Sequence, residues 1–526
     1  MQDLDPDWKR VLWAGLAAAL AGVAVHANAL HKELLRDDVS IIVHDERIRG
    51  GEWMALALGD YWPASSGGRD RLYRPLTSLS FAAQRWSGPF GLRIVNILLH
   101  GATSALVCVW VAGAWRSAAA GAAAGLLFAV HPMHTEPLNV IVGRADIAAT
   151  FFALAAFMLT PRRPIAGSIL FGAALLSKEQ VVLLPLVMLL VDRRSAIAWI
   201  GVVVMYLGLR YAALGTLMRD PTTILVTDNV LAHPETNLPS GGSVLMARWG
   251  TPIALFGKAM GLLFWPDPLC NDYSYAAIPL VYHVFDVRFL VGLLTIAAAL
   301  TALVIGRRGP VGVGVGWALA SYAVVANGPI LIGTIFADRL LYLPSAGICM
   351  AAGGLVVGRR KVLFGVLMAL AVAAGAWRTF LRNADWRSLD ALVRADYPKQ
   401  PRSARLLGLM GVIELKAGRA AAALDYCQQA AAIDPSLPVE DVLGLAHYRM
   451  GHDREALEAF ERDFRRGGGK NEEAVIAAAD LLRKFGDTPQ AIALLEKHLA
   501  RFPTWRDAAA SLEALKTGRS SPREAR

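Results

Sequence analysis

Residues able to do chemistry are gathered into a few short stretches between long apolar runs. Asp37 and Asp38 stand side by side just after the first such run. Adjacent carboxylates repel, which raises one pKa and suits a member of the pair to general-base work; a solvated loop pair or a helix cap is the plain alternative. Arg74 lies in Tyr73-Arg74-Pro75, Arg144 and Asp146 in Gly143-Arg144-Ala145-Asp146, and Arg339 in Asp338-Arg339, just before Leu340-Leu341-Tyr342-Leu343-Pro344. Each arginine can hold a phosphate through two parallel hydrogen bonds, and each alone is more often an ion-pair or interface anchor. His131, His134 and Glu136 form His-Pro-Met-His-Thr-Glu. Two histidines around a proline have no fixed register, unlike a zinc-binding His-Glu-x-x-His helix. Hydrogen bonding to a polar substrate is the favoured reading there, and a divalent metal the lesser one. Lys178 and Glu179 interrupt two apolar segments, either as a snorkelling turn or as part of a site.

The elements that must position these groups are membrane helices. Of 526 residues, 55% are hydrophobic and 18% charged, against about a quarter charged in a soluble domain. The net charge of +10 sits largely in Arg162-Arg163, Arg193-Arg194, Arg307-Arg308 and Arg359-Arg360-Lys361. Short loop clusters of this kind set membrane orientation and argue against a nucleic-acid partner. Four cysteines, Cys108, Cys270, Cys349 and Cys427, have no CxxC or metal spacing, so no disulfide framework or cysteine-ligated metal is expected. The aromatics Trp53, Trp62, Trp86, Trp265 and Tyr273 read as interfacial belt residues.

A span needs about 20 apolar residues. Eleven are predicted, near 11–30, 91–114, 117–132, 146–160, 165–178, 179–191, 195–214, 287–305, 310–327, 340–358 and 361–380, with 251–265 as a further apolar stretch that does not cross. With Lys9 and Arg10 cytoplasmic, the arginine pairs fall inside and loops 31–90, 131–146 and 215–250 outside. The first run reads as a retained helix, not a cleaved signal. The polar clusters then share one membrane face. Beyond residue 400 the chain turns charged, and Gly418, Gly451 and Gly486 recur 33 and 35 residues apart. A period near 34 with small residues at helix crossings is that of stacked helix-turn-helix repeats, which this topology places outside the cell membrane, in the periplasm of a bacterial host.

The ordered set of motifs resembles the transmembrane-and-tetratricopeptide-repeat (TMTC) glycosyltransferase family. It comprises Asp37-Asp38, Tyr73 to Ser80, Asn96 with His100, His131 to Glu136, Gly143 to Asp146, Ser177-Lys178-Glu179, Asp267-Pro268-Leu269 with Asp272-Tyr273, and Asp338 to Gly347. The resemblance implies an all-α, GT-C-like membrane domain over 1–385 with an extracytoplasmic loop 31–90, a tetratricopeptide-like domain over 386–516, and a disordered tail over 517–526. It also implies a polyprenyl-phosphate sugar as donor and a hydroxyl as acceptor, Ser or Thr of an exported protein held on the repeats. The related protein O-mannosyltransferases bring mannose forward as the single sugar moved. On this reading Asp37 or Asp38 is the base and the anomeric centre inverts. Arg74, Lys178 and Arg339 face the leaving phosphate, while His131, His134, Glu136, Arg144, Asp146, Glu179, Asp338 and Tyr342 complete the substrate site. No nucleotide cofactor is implied. Asp338 stands where the family pattern has Glu, and the repeats are few, which puts the acceptor in doubt more than the chemistry. Transfer to a glycan or lipid, or a membrane scaffold without catalysis, are the other readings.

Overall fold

Helix starts in this chain are written by short acceptor side chains. Asp7, Ser117, Asp192 and Asp286 each accept a hydrogen bond from a backbone N–H of the first helical turn that follows, so the apolar run begins its helix at a defined residue. In the computed structural model, which describes residues 7–35, 37–63, 71–235, 238–274 and 277–517, all regular structure is helical. The predicted tail lies outside the described residues except for Thr517. The chain divides into two compact units, residues 1–271 with 279–392, and 272–278 with 393–526.

The first unit makes the chain an integral, multi-pass membrane protein. Seven of its helical segments are long and apolar enough to cross a bilayer: Trp8–Ala29, Gly88–Trp115, Ile141–Leu159, Arg193–Leu214, Val287–Gly306, Asp338–Val356 and Lys361–Asp385. Other predicted spans form shorter helices, such as Ala118–Ala129 and Pro164–Ser177, of 12 and 14 residues. These rise only about 18 and 21 Å, less than the roughly 30 Å of hydrocarbon. The expected eleven spans thus meet seven full-length candidates among the described residues. Thr251–Phe264, on the stretch predicted not to cross, is likewise a 14-residue helix.

The long helices sort into inner and outer ones. Ile141–Leu159 and Asp338–Val356 are 72% and 67% buried within the protein, whereas Val287–Gly306 and Lys361–Asp385 are 6% and 11% buried and turn apolar flanks outward. The two inner helices carry Asp146 and Arg339 at their N-terminal ends. Polar side chains are therefore kept off the lipid face, as their desolvation cost requires. The helix holding Arg339 is seated by backbone contact. A Cβ on Gly347 would come within 2.3 Å of the Gly314 carbonyl oxygen, and one on Gly314 within 2.5 Å of that of Gly347. Paired small residues let two helices touch main chain to main chain, and the indole N–H of Trp317 donates to the Leu343 carbonyl at 3.0 Å alongside.

The second unit contains three helix pairs, Ala404–Lys416 with Ala420–Ile433, Glu440–Arg449 with Asp453–Arg465, and Glu472–Lys484 with Thr488–Arg501, followed by Arg506–Thr517. Gly418, Gly451 and Gly486 occupy the turn inside each pair with φ of +77°, +77° and +90°. Only glycine takes that left-handed turn without strain, which is why it recurs with the repeat. The segment 272–278 is part of this unit. Asp272 accepts hydrogen bonds from Ser274 Oγ at 2.6 Å and from Ser403 Oγ at 2.7 Å.

Gly347→Val should destabilise the first unit by about 1–3 kcal/mol through overpacking. Gly365→Val, at a glycine with open space around it, should not. Melting of the two variants in detergent, followed by size-exclusion chromatography, checks this; equal midpoints would refute the close helix contact.

Candidate functional site

Seven of the side chains singled out by sequence line one cavity of about 320 Å³ in the first unit: Asp37, Arg74, Glu136, Asp146, Lys178, Glu179 and Arg339. They come from five separate stretches of chain, and short polar ties hold those stretches in register. Thr77 Oγ1 donates to the Ser177 carbonyl at 3.0 Å, Gln180 Nε2 to the Leu340 carbonyl at 2.8 Å, and the Arg339 backbone N–H to Glu136 Oε2 at 2.8 Å.

The cations and acids meet in three pairs. Arg74 grips Glu179 with two parallel bonds, Nε–Oε2 at 2.9 Å and Nη2–Oε1 at 2.6 Å. Arg339 Nη1 reaches Glu136 Oε1 at 2.5 Å, and Lys178 Nζ bonds Asp146 Oδ1. The last pair follows from helix polarity. Asp146 sits in the first turn of Arg144–Leu159 and Lys178 at the C-cap of the neighbouring Pro164–Ser177, the ends that favour an anion and a cation respectively. Asp37 is the exception: it lines the cavity, is half-buried and has no hydrogen bond or ion pair among the described residues.

Asp38 faces the other way. It is fully buried, and its two oxygens accept the N–H groups of Ile141 and Val142 at 3.0 Å each. Burial pushes its carboxyl up to about 7, against the downward pull of those two amides. Asp38 thereby anchors the loop that leads into Asp146, while its neighbour is left facing the open space.

Other predicted residues lie away from the cavity lining. His131 Nε2 bonds the Leu263 carbonyl at 3.0 Å and His134 Nε2 bonds Ser345 Oγ at 2.9 Å, both rings being buried. With His100, Phe128 and Tyr342 they form a ring cluster, in which His100 Nδ1 meets the Tyr342 hydroxyl at 2.8 Å. Among the described residues no group of three or more His, Cys, Asp or Glu is arranged to hold a metal ion. Arg144 spends its guanidinium on Asn96 Oδ1 at 2.8 Å, Gln84 Oε1 at 2.6 Å and the Leu92 carbonyl at 2.8 Å. Asp338 Oδ2 accepts the Cys270 backbone N–H at 3.1 Å.

The cavity also has members that sequence reasoning passed over. Tyr61, Trp62, Tyr206, Arg210 and Arg219 line it, and Val324, Val325, Ile330, Leu331 and Ile332 give it an apolar wall. Arg210 carried a readable signal: it is the ionisable residue inside the otherwise apolar stretch 195–214, and such residues mark sites by default. The arrangement provides paired charges to orient polar substrate groups, one unpaired carboxylate, and an apolar flank.

The chain is similar to known membrane proteins. A family model described as "Protein O-mannosyl-transferase TMTC, DUF1736" matches residues 242–300. The chain is 27% identical to protein O-mannosyl-transferase TMTC4 of Mus musculus, across 81% of this chain and 68% of that relative. It is 26% identical to Tmtc3 of Drosophila melanogaster, across 84% of this chain and 57% of the relative, and 25% identical to TMTC3 of Homo sapiens, across 83% and 53%. The chain thus spans between about half and two thirds of the length of these relatives.

A pH dependence follows from Asp38. Its carboxyl titrates near 3.8 when unfolded and about 7 when folded, so folding favours its protonated form. That contribution is complete below about pH 3.8 and is lost as pH rises through about 7. Between about pH 5 and 8 the melting midpoint of the wild type should therefore fall relative to that of Asp38→Asn. A constant difference across the range would remove this account.

Proposed function

We propose, from its similarity to the TMTC proteins, that the chain is a membrane glycosyltransferase moving one mannose from a polyprenyl-phosphate donor to a Ser or Thr hydroxyl of an exported protein. The observation that carries this reading is the convergence of Asp37, Arg74, Glu136, Asp146, Lys178, Glu179 and Arg339 on a single cavity. Its volume of about 320 Å³ falls within the roughly 300–1,000 Å³ usual for small-molecule sites.

Asp37 is the general base. A base must be ionised and free to take a proton, and Glu136, Asp146 and Glu179 are each already committed to a cation. The acceptor oxygen attacks the anomeric carbon as its proton passes to Asp37. The bond from that carbon to the phosphate oxygen breaks, and the polyprenyl phosphate departs with the electron pair, so one displacement inverts the centre. Fixed positive groups next to the developing phosphate charge lower the barrier without having to reorganise. Arg74, Lys178 and Arg339, held by their acids, orient the sugar and its phosphate in this low-dielectric space. The N-terminus lies in the cytoplasm, with the cavity and the repeat unit on the extracytoplasmic side. The repeats bind the acceptor chain through the surface that stacked helix pairs offer.

Asp37→Asn should lower the transfer rate by about 10²–10⁴-fold while leaving donor binding intact, measured with radiolabelled polyprenyl-phosphate mannose and membrane-extract acceptors. Full activity in that variant would remove Asp37 from the base role. A wild-type protein that transfers nothing to any acceptor yet captures polypeptides through residues 393–517 would replace the transferase reading with that of a scaffold.

A further inference from the structure

Five cationic side chains line the cavity among the described residues: Arg74, Lys178, Arg210, Arg219 and Arg339. Three of them are neutralised by acids, Arg74 by Glu179, Lys178 by Asp146 and Arg339 by Glu136, and Arg219 is engaged near the surface, where it donates to the Thr223 hydroxyl and carbonyl at 3.4 and 3.2 Å. For a bound anion to take full advantage of any of the three, a charge-assisted pair would have to be broken. Arg210 differs in kind. It is 7% exposed, one turn from the end of the apolar helix Arg193–Leu214. Its Nε donates to the Leu217 carbonyl at 3.0 Å and a terminal nitrogen to the Arg71 carbonyl at 2.8 Å. Both acceptors are neutral: they aim the guanidinium without cancelling its charge, and among the described residues no carboxylate forms an ion pair with it.

A buried cation without a counter-charge is costly next to a bilayer. It is retained where a ligand supplies the missing anion. What flanks it describes the rest of that ligand. Leu217, Met218 and Ile330, three residues of the same cavity lining, are 43%, 58% and 48% exposed. An anion joined to an apolar chain satisfies both features, whereas a wholly polar anion leaves the apolar surface wet.

We propose that Arg210 is the charge anchor for the donor's phosphate, a phosphodiester joining a sugar to an apolar chain, and for the phosphate monoester that departs, while the three acid-paired cations orient the sugar beside it. The inference deepens the transferase reading and rests on it for the identity of the ligand, while the charge count stands by itself.

The test is direct binding of undecaprenyl phosphate to the full-length protein in detergent, with neutral undecaprenol and inorganic phosphate as the other two probes. Arg210→Gln should weaken undecaprenyl phosphate binding about 10- to 100-fold, the usual worth of a hydrogen bond to a charged group, and leave undecaprenol binding unchanged. Arg210→Lys should recover part of the loss. Because Arg210 is buried, a second variant changes only an exposed neighbour: Leu217→Glu sets a carboxylate near the guanidinium and should weaken the same probe more than Leu217→Gln, which removes only apolar contact and should weaken undecaprenol equally. Inorganic phosphate competing at the same concentration as the lipid would keep the anion site and make a free phosphate its source. Undecaprenyl phosphate bound equally by wild type, Arg210→Gln and Leu217→Glu overturns the proposal, as does an equal loss for undecaprenol in Arg210→Gln. Tight, Arg210-dependent binding with no mannose transfer would sink the transferase reading and leave this site standing. Normal transfer by Arg210→Gln with an unchanged donor KM would do the reverse.

Discussion

Charge in a low-dielectric interior has to be answered by charge or by several hydrogen bonds, and the first unit is organised around that requirement. Arg74–Glu179, Lys178–Asp146 and Arg339–Glu136 are ion pairs between stretches far apart in sequence. Each pair closes only when both of its elements are in place, so the charges act as keys that fix the inner helices against one another. Buried pairs of this sort add little net stability, since desolvation offsets attraction. Their effect is on specificity: removing one partner leaves an uncompensated charge in the cavity wall.

The same requirement explains the division of labour between chain neighbours. Asp37 and Asp38 are consecutive, yet one meets the cavity and the other is bound by two backbone amides. Arg339 and Asp338 separate likewise, one toward Glu136 and the other toward the Cys270 amide. In a helical turn adjacent side chains point about 100° apart, so one member of a dyad can serve the cavity while its neighbour holds the wall. Function and framework are interleaved residue by residue.

That interleaving also marks what sequence can and cannot reveal. The membrane class and the repeat period were legible, because apolar run length and the spacing of Gly418, Gly451 and Gly486 report directly on lipid and on helix turns. The gathering of Arg74, Glu136, Lys178 and Arg339 was also legible, since ionisable groups beside apolar helices have few other places to go. Which way each points was not. His131 and His134 turn into a ring cluster because Pro132 opens a short 3₁₀ turn, and nothing in the local pattern sets the direction of that turn. The length of the crossing helices was also beyond reach. Gly, Pro and Ser residues cut Ala118–Ala129 and Pro164–Ser177 shorter than the hydropathy around them suggests.

One feature of the second unit bears on how the chain can be divided. Asp272 and Ser403 are 131 residues apart in sequence and share a hydrogen bond inside that unit, which also takes in 272–278. The repeat unit is therefore discontinuous. During synthesis the early piece emerges long before the helices it belongs with, and it must wait while several hydrophobic segments are inserted. A cut at the single junction near residue 393 therefore cannot lift the array out whole, because one piece of it is encoded within the other unit.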